Sequence, residues 1–278
     1  MEHVRERSQE LDGRKSLVVR NIRNSLITIA RYVLPLVLFF VIWQVVSSLE
    51  LISKLFFPAP SRILETLQKV IQDGTLVEHL RYSMMRMLGG FFIGGAIGLL
   101  LGLSMGWLPW LRNLADPLVA AFHPVPKSSL FPLVLIIFGL GETSKIVMVS
   151  IGAFFPMLIN SMAGVRQIDP IYFDVAANYG ASRGQIFRRV VLPGSLPSIL
   201  SGVRLSMNSA IHITIVVEMI LGKLGLGAMI WLSWETLRTT YLYAALITIS
   251  VIGLLLNRTL EFVARRLVPW NDAQSVRS

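Results

Sequence analysis

Six polar or ionisable residues stand inside or beside runs that are otherwise apolar enough for a lipid bilayer: His123, Lys127, Ser128, Asn208, His212 and Glu218. Charge in hydrocarbon is costly, so such residues line a wet pathway, pair with another charge or meet backbone carbonyls. Lys127 closes the string His123-Pro124-Val125-Pro126-Lys127. Its two prolines remove two backbone donors and disfavour helix at the residues before them. Counted from Leu114, His123 lies about 13 Å along a helix, near the middle of a bilayer. Broken backbone at that depth is tolerated only where it is buried in protein or lines a cavity. A cation, free amides and Ser128 could meet an anion there. The alternative is a structural kink whose lysine finds an internal carbonyl. Asn208 and His212 are four residues apart, so they can share a helix face, with Thr214 nearby. That stripe is either a pathway lining or a buried hydrogen-bond ladder between helices. Glu218 falls near the outer end of its run and either belongs to that stripe or reaches water.

Other chemistries are excluded by type or by spacing. There is no Cys, hence no thiol nucleophile, disulfide or thiolate metal site. The four histidines, His3, His79, His123 and His212, lack metal-ligand spacing, and no H-E-x-x-H occurs. Gly102-Leu103-Ser104-Met105-Gly106 matches the G-x-S-x-G nucleophile elbow but lies in an uncharged run of 25 residues rather than between strand and helix. Residues 139–145, GLGETSK, hold the ingredients of a phosphate-binding loop in the wrong order. No catalytic, metal-binding or cofactor-binding residue is therefore assigned to this chain.

The elements that carry these residues follow from composition. Of 278 residues, 54% are hydrophobic and 15% charged, against about 25% charged in soluble domains. Stretches free of Asp, Glu, Lys and Arg cover residues 32–49, 87–111, 146–165 and 239–257. Each is long enough to cross a bilayer. Residues 114–140 are interrupted by Asp116 and Lys127, and residues 196–220 by Arg204 and Glu218. The reading is an all-α integral membrane protein with about six transmembrane helices. The 31 residues before the first span mix seven cations with four acids, which is unlike a cleaved signal. With both termini inside, inner segments hold 16 Lys and Arg and outer segments seven, as the positive-inside rule requires. The net charge of +10 then reflects basic cytoplasmic loops and anionic lipid rather than nucleic acid.

Two patterns bear on packing. Ile63, Leu64, Leu67, Val70 and Ile71 recur at helical spacing after Pro60, with Ser61 as a candidate cap. That helix either lies at the outer interface or packs on the protein's own outer surface. Residues 14–31 look like a weaker counterpart on the inner face. Gly90, Gly94, Gly98, Gly102 and Gly106 put a smooth stripe on one helix face. It is either an internal seam or a dimer seam.

Between the fourth and fifth spans, residues 166–193 are heavily punctuated. Asp169-Pro170 starts a helix, Gly180 ends it, and Ser182 caps a second one. Ile186, Phe187, Val190 and Val191 give the second helix an apolar face, and Pro193 and Pro197 bring the chain back to the membrane. Val175, Ala176 and Ala177 leave a smooth surface flanked by Arg183, Arg188 and Arg189, suited to docking in a groove of another protein.

This segment resembles the loop of permease subunits of ATP-binding-cassette importers, written E-A-A, three residues, G, nine residues, I, one residue, L-P. Here it reads Asp174-Val175-Ala176, Gly180, Val190, Leu192-Pro193. Asp for Glu, Val for Ala and Val for Ile are mild departures. Residues 225–230, GLGAMI, look like the family's outer re-entrant segment, and FGLGETSK, at 138–145, resembles the branch importing nitrate, sulfonates, taurine or bicarbonate. The likeness spans roughly residues 83–265. It implies a type I importer core of five helices plus one N-terminal helix, in an inner membrane. By that likeness 1–31 is a cytoplasmic segment, 32–82 a first helix with an outer amphipathic helix, 83–265 the core with coupling loop 166–193, and 266–278 a cytoplasmic tail. Asp174, Val175, Ala176, Ala177, Gly180, Ala181, Ser182, Leu192 and Pro193 would couple to an ATPase. The implied partners are a second permease copy, expected as a homodimer, two ATPase subunits that hold ATP and Mg, and an extracytoplasmic solute-binding protein. Two rival readings are an integral-membrane enzyme using Lys127, His212 and Glu218, and an ion-driven transporter, for which inverted repeats are expected.

Overall fold

The structure is a computed structural model that describes residues 31–269 apart from 32, 33, 36 and 51. Almost all of the stretch 14–31 and most of the tail 266–278 lie outside the described residues. Every regular element among the described residues is helical. The chain divides into two units, Met1–Glu65 and Thr66–Ser278.

The first unit holds α1 (Val37–Ser48), which is part of the first predicted span. The segment Phe57-Pro58 folds back on it: Trp43 Nε1 donates to Pro58 O at 3.1 Å and Ser47 Oγ to Phe57 O at 2.9 Å. Helix α2 (Pro60–Gln72) starts at the proline itself, whose fixed φ suits a first helical position. Ser61 is therefore inside the first turn, and its hydroxyl and amide meet the Gln44 side chain instead of capping α2.

In the second unit the last turns of α2 pack inward. Val70 is buried and Leu67 partly so, against Leu76, Leu226, Met229 and Ala245. Leu64 and Ile71 stay exposed. Next come α3 (Thr75–Trp107), α4 (Pro109–Phe122), a 3₁₀ turn (Lys127–Leu130), α5 (Phe131–Phe138) and α6 (Glu142–Arg166). Then follow α7 (Pro170–Asn178), α8 (Arg183–Ile186), a π-helical turn (Phe187–Val191), α9 (Leu192–Leu221), α10 (Leu226–Glu235) and α11 (Thr239–Leu267). The exposed Asp73 carboxylate accepts from the Thr75 amide at the start of α3, and that bond, with the Thr75 hydroxyl, holds its pKa below the usual carboxylate range.

Among the described residues four helical stretches are long and apolar enough to span: α3, α6, Arg183–Leu221 and α11. The predicted third span is a helix pair bent by 92° between α4 and α5. The break falls at His123-Pro124-Val125-Pro126, where the prolines place it.

Helix α6 is the centre of the unit. The glycine stripe of α3 lies against it, and this close approach is what requires glycine. A Cβ at Gly94 would run into the Ser150 carbonyl, and one at Gly102 into the Leu158 carbonyl; Gly90 and Gly106 face Val149 and Val165. The stripe is thus the internal seam of the two readings above. On its other side α6 meets α9. There Ser206 Oγ donates to Ala153 O and Ser209 Oγ to Gly152 O, both at 2.8 Å, as small polar residues do between membrane helices.

The prolines after the loop do not interrupt α9. Pro193 sits in its first turn and Pro197 inside it. In a regular helix the Pro193 ring would press on the carbonyl of Arg189. That residue lies in the widened π turn, which relieves the clash.

Candidate functional site

Three settings collect the residues singled out above. The first is the loop between α6 and α9. Asp169 caps α7 by accepting from Ile171 N at 2.9 Å. Gly180 ends it with φ +73°, while a Cβ there would meet nothing within 4 Å. Its requirement is conformational rather than steric. Ser182 and Gln185 form a reciprocal capping box, so every predicted stop and start in this loop is present.

Helix α7 turns one face inward and one outward. Phe173 and Phe187 both pack at 6.1 Å, centroid to centroid, on Trp107, the last residue of α3. Ile171, Tyr172 and Val175 are exposed, and Tyr179 is 89% exposed. Asp174 and Ala177 are exposed with them, as are Gly180, Ser182, Leu192 and Pro193; Ala176 and Ala181 are half-buried. The helix thus presents an open apolar face beside an aromatic anchor. Any push on α7 reaches the end of α3 through Trp107.

The second setting is a buried charge network that the sequence reading missed. Glu218 does not reach water. It is fully buried, as is Arg86 of α3 at 1% exposure. Arg86 Nη1 donates to Glu218 at 2.7 Å and to Leu224 O at 2.6 Å. Its Nε and Nη2 make a two-point contact with Glu142 at 2.5 and 2.8 Å, and Lys145 donates to the same carboxylate at 2.9 Å. Ser83 Oγ lies 2.9 and 2.7 Å from the two Glu218 oxygens and accepts from Leu226 N at 2.8 Å. Gly227 N donates to Glu218 at 3.0 Å, and His79 Nδ1 lies 2.8 Å from Gly225 O.

The network ties α3, α6 and α9 to the turn that launches α10. Gly225 there has φ +121°, and a Cβ would press into the Glu218 carboxylate. Burial of these charges is tolerable because each is paired and hydrogen-bonded. A cleft of about 640 Å³ opens beside it, lined by Tyr82, Arg86, Glu142, Lys145 and Lys223 among others. The available signal was Arg86 and Glu142 standing alone at the edges of two apolar runs; one-dimensional spacing could not show that they meet across 56 residues.

The third setting is the break between α4 and α5. Lys127 Nζ donates to the carbonyls of Phe122, His123 and Val125 at 3.2, 2.6 and 2.8 Å. It also lies 4.5 Å over the Phe155 ring, and His123 meets that ring edge-on at 5.9 Å. The ammonium thus gathers three carbonyls at the break, of which that of Phe122 also accepts from Val125 N at 3.3 Å. An apolar cleft of about 340 Å³ adjoins, with Phe122, Phe154 and Phe155 in its wall; Ser128 is exposed. The polar stripe of α9 is divided. Asn208 accepts from Asn257 Nδ2 of α11 at 3.0 Å, Thr214 is buried and bonds its own helix, and His212 is exposed. The six candidate pathway residues therefore occupy several environments rather than one lining.

Residues 94–270 match the family described as "Binding-protein-dependent transport system inner membrane component". The chain is 36% identical to the taurine transport system permease protein TauC of Escherichia coli (strain K12) over 235 residues, covering 83% of this chain and 86% of the relative. It is 34% identical to the putative aliphatic sulfonates transport permease protein SsuC of the same organism, covering 91% and 95%. With the Bacillus subtilis (strain 168) protein of that name the identity is 33%, with 84% of each chain covered. Among solved structures, a chain of the inward-facing MetNI methionine ABC transporter superposes with a TM-score of 0.59 at 19% identity, covering 68% of this chain and 96% of that one. That last likeness is one of fold.

Proposed function

This chain belongs to the family of binding-protein-dependent transport system inner membrane components, and on that premise we propose that it forms one half of the pathway of an ATP-driven importer for a small organic sulfonate. It is a multi-pass permease subunit and not an enzyme. The names of its relatives support taurine or an aliphatic sulfonate as cargo. In this reading a second copy completes the pathway and a solute-binding protein delivers the anion outside. Two ATPase subunits bind ATP and Mg and grip α7 on the cytoplasmic side, where both termini also lie. His123, Lys127, Ser128, Asn208, His212 and Glu218 remain the candidates for the anion's route.

The observation that carries the reading is the α7 surface. Its exposed Ile171, Tyr172, Val175 and Tyr179 await a partner, while Phe173 fastens the same helix to α3 through Trp107. A motor that closes on α7 would therefore move the membrane helices.

The test is reconstitution into proteoliposomes with the ATPase and the binding protein. Gly180→Ala forces a non-glycine residue into the left-handed region, at a cost of about 1 kcal/mol, in open space. Insertion should survive and ATP hydrolysis should continue, while taurine uptake per ATP falls about fivefold, the factor that corresponds to about 1 kcal/mol. Unchanged coupled uptake, or uptake by the permease alone, would overturn the proposal. Competition by nitrate or bicarbonate but not by ethanesulfonate would overturn the choice of cargo.

A further inference from the structure

A cleft of about 280 Å³ between the first turns of α9 and the last turns of α11 serves none of the roles above. Leu200, Ser201 and Arg204 line it from α9, and Glu261, Arg265 and Val268 from α11. Two helices independently give its depth. A hydrocarbon core needs about 20 residues of helix. Counted back from Leu221, at the α10 end of α9, that length reaches Gly202; counted forward from Thr239, at the same end of α11, it reaches Arg258. The cleft therefore sits at headgroup level, at the end of the unit that carries the α7–α8 loop.

Its charge is unbalanced. Glu261 is shared by Arg265 at 2.7 Å and Arg258 at 3.5 Å, and both arginine side chains are mostly exposed. Arg204, also exposed, makes no hydrogen bond or ion pair among the described residues. Three guanidiniums thus face one carboxylate. Guanidinium forks suit phosphate oxygens. Toward the membrane centre and alongside, Leu205, Leu254, Leu255 and Phe262 are exposed apolar surface, which a free anion would not use and acyl chains would.

We propose that this cleft is a binding site for the phosphodiester headgroup of an anionic phospholipid, with Arg204 and Arg265 holding the phosphate and Glu261 setting the affinity by competing for the same cations. Basic recesses between membrane helices at this level hold such headgroups. The assignment to the cytoplasmic leaflet rests on the permease topology proposed above; binding itself does not.

The test is native mass spectrometry of the full-length chain with phosphatidylglycerol against phosphatidylcholine. Wild type should retain phosphatidylglycerol selectively. Arg204→Gln or Arg265→Gln should weaken retention about fivefold each, and the double variant about thirtyfold. Arg112→Gln removes the same charge on α4 and should change nothing. Glu261→Gln should tighten binding a few-fold, so the proposal is testable even where an arginine variant folds poorly. Equal retention of phosphatidylcholine, equal loss in Arg112→Gln, or weaker binding in Glu261→Gln would overturn it. Displacement by millimolar inorganic phosphate would make the cleft a free-anion site and overturn the lipid assignment. Conversion of a dimer to monomers by the arginine variants, with lipid retained, would make it a subunit contact and do the same. The measurement needs no ATPase, binding protein or cargo, so failure of the transport reading would leave its outcome standing.

Discussion

Replacing Glu218 by alanine is the sharpest perturbation of this fold. The carboxylate accepts from Ser83 Oγ, Arg86 Nη1 and Gly227 N, and all three donors lie in a dry setting. Breaking a buried ion pair from one side costs about 3–5 kcal/mol, because the remaining charge stays buried. Arg86 keeps its two-point contact with Glu142 and its bond to Leu224 O, and Ser83 still accepts from Leu226 N. The low end, about 3 kcal/mol, is therefore expected. At about 2–4 °C per kcal/mol for a domain of this size, the midpoint of thermal unfolding in detergent should fall by roughly 6–12 °C. Glu218→Gln keeps an acceptor and the volume and should lose about half as much. The double variant Arg86→Met, Glu218→Leu should recover part of the loss, since an apolar pair removes the stranded charge. Because the network holds the turn before α10, limited proteolysis should cut within residues 222–235 in Glu218→Ala and not in wild type. An unchanged midpoint in Glu218→Ala, or a double variant less stable than either single one, would refute the account of a paired, load-sharing network.

Two other outcomes follow from close contacts. Gly94→Ala drives a methyl into the Ser150 carbonyl and should cost about 1–3 kcal/mol, whereas Gly95→Ala meets only Met157 Cε at 3.6 Å and should be neutral; paired thermal melts check the difference. Lys127→Met leaves the carbonyls of His123 and Val125 without the ammonium, while Phe122 O keeps Val125 N, and should lower stability by about 1–3 kcal/mol. If Lys127 also meets the anion, KM for taurine rises in proteoliposome uptake; an unchanged KM assigns it to the break alone.

Most of the loop between α6 and α9 was legible in one dimension because its signals are local. Asp169 before Pro170, Gly180, and Ser182 three residues before Gln185 each act within one turn of chain. The break at Pro124 and Pro126 was legible for the same reason, since a missing donor acts where it stands. Ser61 and Pro193 show the limit. Each has a usual local role, and each was diverted, Ser61 by Gln44 and Pro193 by the widened turn before α9.

Residue types and periods alone determined an all-helical membrane chain, its broken third span and its punctuated loop between α6 and α9, because hydropathy, proline and glycine constrain the backbone locally. Only the tertiary structure decided that the glycine stripe is filled by α6, and that Glu218 answers Arg86 across 132 residues rather than meeting water. Which face of a helix meets which neighbour depends on packing between distant segments. A buried charge is stable only beside the partner that packing delivers.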